Sequence, residues 1–455
     1  MSDANHEPSL ETLIQQSGGV MNLLRNAPLA RWAPPGYPTE YSSWRDEQRA
    51  WLNGVALLEL SYHMPELHLR GTEVIPFLEK FAINKLDPFP VLRAKQLVVA
   101  APDGNLITDA IIFHEEEDFY RIVGDHDWIQ FNLESSTYDV SATVDPPWYT
   151  ASAPRDVFRI QLQGPQAVDL VTELVGGNLP SIKFFHIGEL EIAGKKVRAL
   201  RHGMAGTPGF EIYGAWDDQQ VVRAAIEDAG RKYAMRKVGA LAYGTSSQES
   251  SWMPIPLAAI YTAPELKEFR EWLGPFPLAA LGSLGGSMTS TKVEDYYIDP
   301  IEAGYGHLVD WSRDFVGRAA LREKADNPRR RKVTLEWNDE DVAATVAASL
   351  FGERQAQTLS IPVPHYAWHP ADTVQDTEGR QVGVSQWSSY SDNAGHVIST
   401  AVVEIAHSEP GTQLVLLWGN PDVQTANSDA KVVREIRVTV APAPYFQKVT
   451  DNPDR

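Results

Sequence analysis

The chain has 455 residues, which is enough for roughly two to four domains at about 150 residues each. Forty basic and sixty acidic residues give a formal net charge of −20, a balance that disfavours a nucleic-acid binder or a protein docked on an anionic membrane. The chain contains no cysteine, so disulfides, thiolate metal ligands and thiol nucleophiles are excluded.

The first residues, MSDANHEPSLETLIQQ, lack the basic region and apolar run of a secretory signal. No stretch approaches the ~18 apolar residues of a membrane span. We therefore expect a cytoplasmic protein.

Upstream of residue 324 the sequence alternates between strand-like and helix-like patterns. Residues 158–163 alternate apolar and polar side chains, as in a strand with one buried face, and 166–175 show helical spacing after Pro165. Further strands are predicted over 66–70, 96–101, 110–113, 119–123, 196–200 and 210–213, and further helices over 72–83, 217–234 and 264–273. This interleaving predicts the α+β class.

A polar, basic run at 324–332 separates two kinds of pattern. We predict a mixed region over 1–328, built of two interleaved subdomains, and a β-rich C-terminal domain over 329–455. In the second region, strand patterns are predicted at 332–337, 381–387, 397–405, 413–418 and 431–440. Their spacing is typical of a small barrel or sandwich.

Three observations on short motifs argue against a phosphate-binding loop, a metal site and a serine-hydrolase nucleophile. The glycine-rich stretch at 282–287 lacks the Lys-Ser/Thr of a phosphate-binding loop. His365 and His369 have the spacing of a helical metal clamp, but prolines on both sides favour a loop. There is no GxSxG elbow. We expect no metal, and the residues alone predict a soluble α+β protein.

Four segments in this order resemble the aminomethyltransferase family, which includes the T-protein of the glycine cleavage system. They are residues 162–167 (LQGPQA), 201–212 (RHGMAGTPGFEI), 300–306 (PIEAGYG) and 314–318 (DFVGR). A second set resembles one branch of that family, the tetrahydrofolate-dependent aryl O-demethylases that act on vanillate, syringate and related methoxyarenes. These are residues 18–26, 41–45, 63–64, 252–261 and 294–297.

The resemblance implies a clover-leaf of three domains around a central folate site, with a C-terminal β-barrel. It also implies transfer of a methyl group from an aryl methyl ether to N5 of tetrahydrofolate, which gives a phenol and 5-methyltetrahydrofolate. Such a displacement needs alignment of the two reactants and help for the leaving phenolate, but no metal. The expected partners are these small molecules, and neither nucleic acid nor membrane.

The same resemblance suggests two catalytic residues. Tyr243, nine residues before Trp252, would donate a proton to the leaving oxygen. The ordinary pKa of a tyrosine phenol, ~10, matches the pKa of the phenol product. His63 would orient the ether or relay the proton. The competing interpretations are a core tyrosine and a structural histidine.

Four residues are predicted to contact the folate on this basis. Glu211 would accept N–H bonds from the pterin, Trp252 would pack on its face, and Gln163 would face it from a strand end. All three could instead have structural positions. Asp109 matches one of two successive acidic residues in the T-protein, but Thr108 replaces the other, which disfavours the amine chemistry of that enzyme.

Trp32, Asp125 and His126 are predicted to line the site of the aromatic substrate. Vanillate-type enzymes have a basic residue at the place of Asp125, where a ring carboxylate would meet an unfavourable charge. A syringate-like or halogenated methoxybenzoate therefore stays open as substrate. Alternatives for the whole protein are a T-protein, a dimethylsulfoniopropionate demethylase or a folate-binding protein without catalysis.

Overall fold

The computed structural model describes residues 7–26, 38–61, 63–145, 155–254, 256–275, 279, 282–351, 356–359, 361–362, 368–421 and 432–446. Trp32 and His365 lie outside these residues. Within them, helices and strands interleave as far as residue 326, and a closed β-barrel follows. The predicted α+β class with a C-terminal barrel is confirmed.

The α-helices of the described residues are α1 (Leu10–Gln16), α2 (Val20–Arg25), α3 (Trp44–Asn53), α4 (Val74–Leu78), α5 (Asp127–Glu134), α6 (Ala167–Leu174), α7 (Gln219–Gly230), α8 (Ala240–Tyr243), α9 (Thr245–Ser250), α10 (Lys267–Trp272), α11 (Arg318–Asp326) and α12 (Asp339–Phe351). None of them combines the length and the apolar character needed to cross a bilayer.

The strands are β1 (Ala56–Glu59), β2 (Glu66–Arg70), β3 (Arg93–Ala100), β4 (Leu106–Glu116), β5 (Phe119–Val123), β6 (Ser141–Asp145), β7 (Val157–Gln163), β8 (Ile187–Ile192), β9 (Lys195–Arg201), β10 (Gly209–Ala215), β11 (Arg236–Val238), β12 (Ser283–Gly285), β13 (Arg330–Trp337), β14 (Trp368–Pro370), β15 (Asp372–Gln375), β16 (Gln381–Ser391), β17 (His396–Glu404), β18 (Gln413–Trp418) and β19 (Arg434–Ala441).

Two sheets and a barrel organise these elements. The first sheet is antiparallel, in the order β3-β4-β5-β2-β6, and the second has the order β11-β1-β7-β10-β9-β8, with β1 and β11 parallel. A bridge between Arg93 and His186 joins the two sheets. The barrel closes in the order β13-β17-β16-β15-β18-β19.

Each of these layers has its own apolar core. The first sheet packs against α1, α2, α4 and α5, the second against α6 and α7, and the barrel encloses a third cluster of valines, leucines and tryptophans. Helices as short as α6 are stabilised mainly by this burial of one apolar stripe. A further buried cluster joins the two sheets, with Phe113 and Val123 from the first and Leu200 and Tyr213 from the second.

The region after residue 329 is β-rich as predicted and also contains one helix that the strand patterns did not indicate, α12 over Asp339–Phe351. Two local predictions need correction. The helix predicted over 72–83 is limited to Val74–Leu78, since the chain turns into a β-bridge at Ala82. Strand β7 is buried on both faces, not on one. Its polar side chains point to the interior, where they find ionic and hydrogen-bonding partners.

Candidate active site

A cavity of about 1200 Å³ is lined by residues of both sheets, of α8 and α9, and of the barrel. It brings together seven of the nine predicted site residues: His63, Asp109, Asp125, His126, Glu211, Tyr243 and Trp252. Trp32 lies outside the described residues. Gln163 is described but does not line the cavity.

His63 and Tyr243 contact each other in this cavity although 180 positions separate them in the chain. The hydroxyl of Tyr243 lies 3.0 Å from Nε2 of His63, and the two rings meet edge to face at 5.0 Å. Burial, together with the charge of Arg155, lowers the pKa of His63 to about 3. The imidazole is therefore neutral at pH 7, and its Nε2 can form a hydrogen bond with the phenol hydroxyl.

Local contacts account for the position of Tyr243. The buried carboxylate of Glu47 accepts three backbone N–H bonds, from Tyr41, Ser42 and Gly239, at 2.7–2.8 Å. Gly239 precedes α8, and a Cβ there would lie 2.4 Å from the carbonyl oxygen of Thr39. Glycine at position 239 therefore lets the two backbone segments approach closely, and this contact fixes the start of the short helix that ends at Tyr243.

Glu211 lies on β10 with its carboxylate at the cavity wall, 4% exposed. Its Oε1 forms an ion pair with Nη1 of Arg159, on the neighbouring β7. Its Oε2 accepts no hydrogen bond from the described residues. One carboxylate oxygen is therefore held in place, while the other remains an acceptor for a bound ligand.

Arg159 belongs to a buried network that local sequence patterns did not predict. It donates to Glu66 at 2.9 and 3.1 Å as well as to Glu211. Burial opposes its charge, but these two carboxylates outweigh that effect and raise its pKa above the usual range. Because Arg159 is paired with these two carboxylates inside the protein, the polar face of β7 can be buried like its apolar face.

A group of possible metal ligands lies within this network. One ligand atom from each of Glu66, His68 and Asp145 lies within 4.8 Å of the others. Arg121 contacts Glu66 at 2.6 Å, and Arg155 contacts Asp145 at 3.0 Å. Because arginines already balance these carboxylates, the group is an ionic network of the fold rather than a site prepared for a cation.

Gln163 supports the cavity wall from behind. Its Nε2 donates to the hydroxyl of Thr207 at 3.0 Å, and its Oε1 accepts the backbone N–H of Met204 at 2.9 Å. Met204 and Thr207 themselves line the cavity. The side-chain amide of Gln163 thus holds the 203–207 loop and has no described contact with the cavity.

Asp109 forms a second polar centre with two aromatic residues. Its Oδ2 accepts Nε1–H of Trp252 at 2.9 Å and the hydroxyl of Tyr305. Burial raises the pKa of Asp109 to about 6, against the effect of these two bonds. Tyr305 was not predicted as a site residue, although it lies in the PIEAGYG segment at 300–306.

Asp125 and His126 follow β5, where the strand reaches the cavity. Asp125 is exposed on the cavity surface, whereas His126 is buried and its Nδ1 lies 3.0 Å from the carbonyl oxygen of Gly124. Enclosure by protein raises the pKa of Asp125 and lowers that of His126. Burial and the charge of Asp125 raise the pKa of Asp127 to about 7.

The cavity is lined by a tyrosine–histidine pair, by several carboxylates and by an indole, which are features of an active-site pocket for small molecules. Residues 24–255 match the family model described as the GCVT N-terminal domain. The chain is 36% identical over 443 residues to a syringate O-demethylase of Sphingobium sp. (strain NBRC 103272 / SYK-6), covering 96% of each protein. The chain belongs to the GcvT family.

Two further comparisons agree with this membership. A sesamin methylene transferase of Sinomonas sp. (strain No.22) is 28% identical over 412 residues, which is 85% of each chain. The crystal structure of the glycine cleavage system aminomethyltransferase T from Bartonella henselae has a TM-score of 0.60 at 15% identity, covering 93% of this chain and 92% of that one. That structure shows the fold, and the sequence relatives show the family.

Proposed function

We propose that the protein is an enzyme that transfers the methyl group of a methoxylated aromatic acid to N5 of tetrahydrofolate, with a phenol and 5-methyltetrahydrofolate as products. The observation that carries this proposal is the 3.0 Å contact between Tyr243 and a neutral His63 inside a cavity large enough for both reactants. The 36% identity to a syringate O-demethylase supports the same reaction.

Glu211 is the proposed pterin ligand. Arg159 fixes Oε1 of Glu211, so Oε2 offers a charged acceptor to the N–H groups of the pterin ring. Trp252 presents an apolar surface to the same cavity, while its N–H is held by Asp109. These residues would orient the acceptor nitrogen, and orientation is the main requirement of a direct displacement.

Tyr243 is the proposed acid for the leaving group. As the bond from methyl to ether oxygen breaks and the bond from methyl to N5 forms, the developing phenolate takes the hydroxyl proton of Tyr243. His63 holds the hydroxyl through a hydrogen bond at Nε2. The proton that N5 loses restores the hydroxyl of Tyr243, directly or through solvent.

Asp109 is the proposed group that stabilises positive charge at the acceptor nitrogen, and this role predicts a pH dependence. Because the pKa of Asp109 is about 6, the stabilising anion forms as pH rises through that value. The rate of methyl transfer should therefore rise between about pH 5 and 7. Asp109→Asn should remove this rise while folate and aromatic substrate still bind; a rise that persists unchanged in the variant would contradict the role.

A substrate panel tests the proposed function. The protein is incubated with tetrahydrofolate and either syringate, vanillate, a halogenated methoxybenzoate or a sesamin-type methylenedioxy compound, with and without a metal chelator. We expect 5-methyltetrahydrofolate and the matching phenol from at least one methoxybenzoate, with no effect of the chelator. Demethylation without folate, or loss of activity with chelator, would contradict the proposal. Ammonia release from an aminomethylated lipoyl carrier would favour T-protein chemistry instead.

A further inference from the structure

One guanidinium on the cavity wall lacks any partner in the described part of the chain. Arg93, the first residue of β3, lines the cavity, and its side chain forms no hydrogen bond or ion pair with a described residue. Its Nε is buried without a partner. A partly buried cation is normally paired, because removing its charge from water is costly.

The backbone around Arg93 is held in an uncommon conformation. Leu92, just before it, has φ 61°, and Phe185, beside it across the junction of the two sheets, has φ 58°. The N–H of Phe185 bonds to the carbonyl of Arg201, and the N–H of Arg201 bonds to the carbonyl of His186, so two residues face one as in a β-bulge. Non-glycine residues with positive φ are strained and concentrate at functional sites.

This bulge puts a second arginine on the same surface. Arg93 faces His186 across the bridge, and His186 faces Arg201, so the three residues lie side by side in adjacent strands. Directly opposed residues share one face of a sheet. Arg201 also lines the cavity; its guanidinium lies 4.7 Å from the centre of the Phe210 ring and forms a long hydrogen bond, 3.4 Å, to the carbonyl oxygen of Gly209.

The surrounding charges make this wall attractive to an anion. Lys85 and Lys95 line the same part of the cavity, and Lys95 donates to three backbone carbonyls rather than to a carboxylate. Phe184, which is 49% exposed, also lines the cavity. In a chain of net charge −20, such a local group of cations can draw in an anionic ligand that the rest of the surface repels.

We infer that Arg93, with Arg201 and Lys85 nearby, forms a carboxylate subsite of the cavity. This inference rests on the proposed function, which supplies two ligands with carboxylates: the glutamate tail of tetrahydrofolate and the acid group of the aromatic ring. The subsite would hold such a carboxylate although Asp125 lines the same cavity. It lies beside the exposed residues Lys85 and Phe184, where a charged tail leaving the cavity would pass.

The test is a calorimetric titration of the wild-type protein and of Arg93→Gln, which keeps a polar side chain and removes the charge. The ligands are tetrahydrofolate, a tail-free tetrahydropterin, syringate, and the matching phenol without the ring carboxylate. Arg231→Gln is the control, because Arg231 is an exposed arginine outside the cavity that makes only a surface ion pair. Arg93→Lys tests whether charge alone restores binding.

We expect Arg93→Gln to lower the affinity for one of the two carboxylate-bearing ligands by roughly ten- to hundred-fold. The affinity for the counterpart of that ligand without a carboxylate should be unchanged. A loss confined to tetrahydrofolate assigns the subsite to the glutamate tail, and a loss confined to syringate assigns it to the ring acid. Unchanged affinity for both, in a protein that binds both, would overturn the subsite and leave the proposed function intact. A wild-type protein that binds neither ligand would overturn both.

Discussion

Tyr243→Phe should lower the rate of methyl transfer by ~10²–10⁴-fold, the range that general acid catalysis supplies. The substitution removes one oxygen and leaves the ring packed edge to face on His63. Folate and aromatic substrate should bind nearly as before, because the hydroxyl is proposed to act on the leaving oxygen as the bond breaks. The measurement is single-turnover methyl transfer with both substrates saturating.

Tyr296→Phe provides the matched control for this experiment. Tyr296 is as buried as Tyr243, and its hydroxyl contacts Arg25 and the carbonyl of Met288 outside the large cavity. Its loss should lower the melting temperature and leave the transfer rate within a few-fold of wild type. If Tyr243→Phe behaved like this control, Tyr243 would be a structural tyrosine.

Glu211→Gln should weaken the binding of tetrahydrofolate by roughly ten- to hundred-fold, the effect of about 1.5–3 kcal/mol for a hydrogen bond to a charged group. Arg159 will hold the amide oxygen of the new side chain, so the NH₂ group faces the cavity in place of Oε2. An acceptor thereby becomes a donor opposite the N–H groups of the pterin. Calorimetric titration with tetrahydrofolate measures the loss.

The variant also leaves Arg159 with one carboxylate fewer, so stability must be measured alongside. Glu189→Gln serves as the control, since Glu189 is an exposed carboxylate paired with Arg198 at 3.4 Å, on β8 of the same sheet. A lower melting temperature with unchanged folate affinity would show that Glu211 acts only in the ionic network. Weaker folate binding in a protein that melts normally would support the ligand role.

Much of the strand pattern could be predicted from sequence because a period of two marks a strand whether or not its partner is known. Strands β2, β5 and β18 have the predicted bounds. Strand β7 shows the limit of this reasoning. Its polar positions suggested a solvent face, but the carboxylate partners of Arg159 lie 52 and 93 residues away, and no local window contains them.

The candidate site depended on resemblance for the same reason. His63 and Tyr243 are far apart in sequence, and nothing in their spacing indicates the 3.0 Å contact. Arg93 lies in none of the segments that carry the resemblance, and only the tertiary structure shows that no described residue pairs with its charge. Gln163 was predicted at the ligand, but both of its amide atoms are used by the adjacent loop.

The most direct test of the central claim follows the methyl group itself. Syringate carrying a trideuterated methoxy group is incubated with the protein and unlabelled tetrahydrofolate for one turnover, and both products are analysed by mass spectrometry. The account predicts 5-methyltetrahydrofolate that retains all the deuterium of the methyl group, in amounts equal to the phenol formed. Phenol without labelled 5-methyltetrahydrofolate, or a folate product that has lost deuterium, would contradict direct methyl transfer.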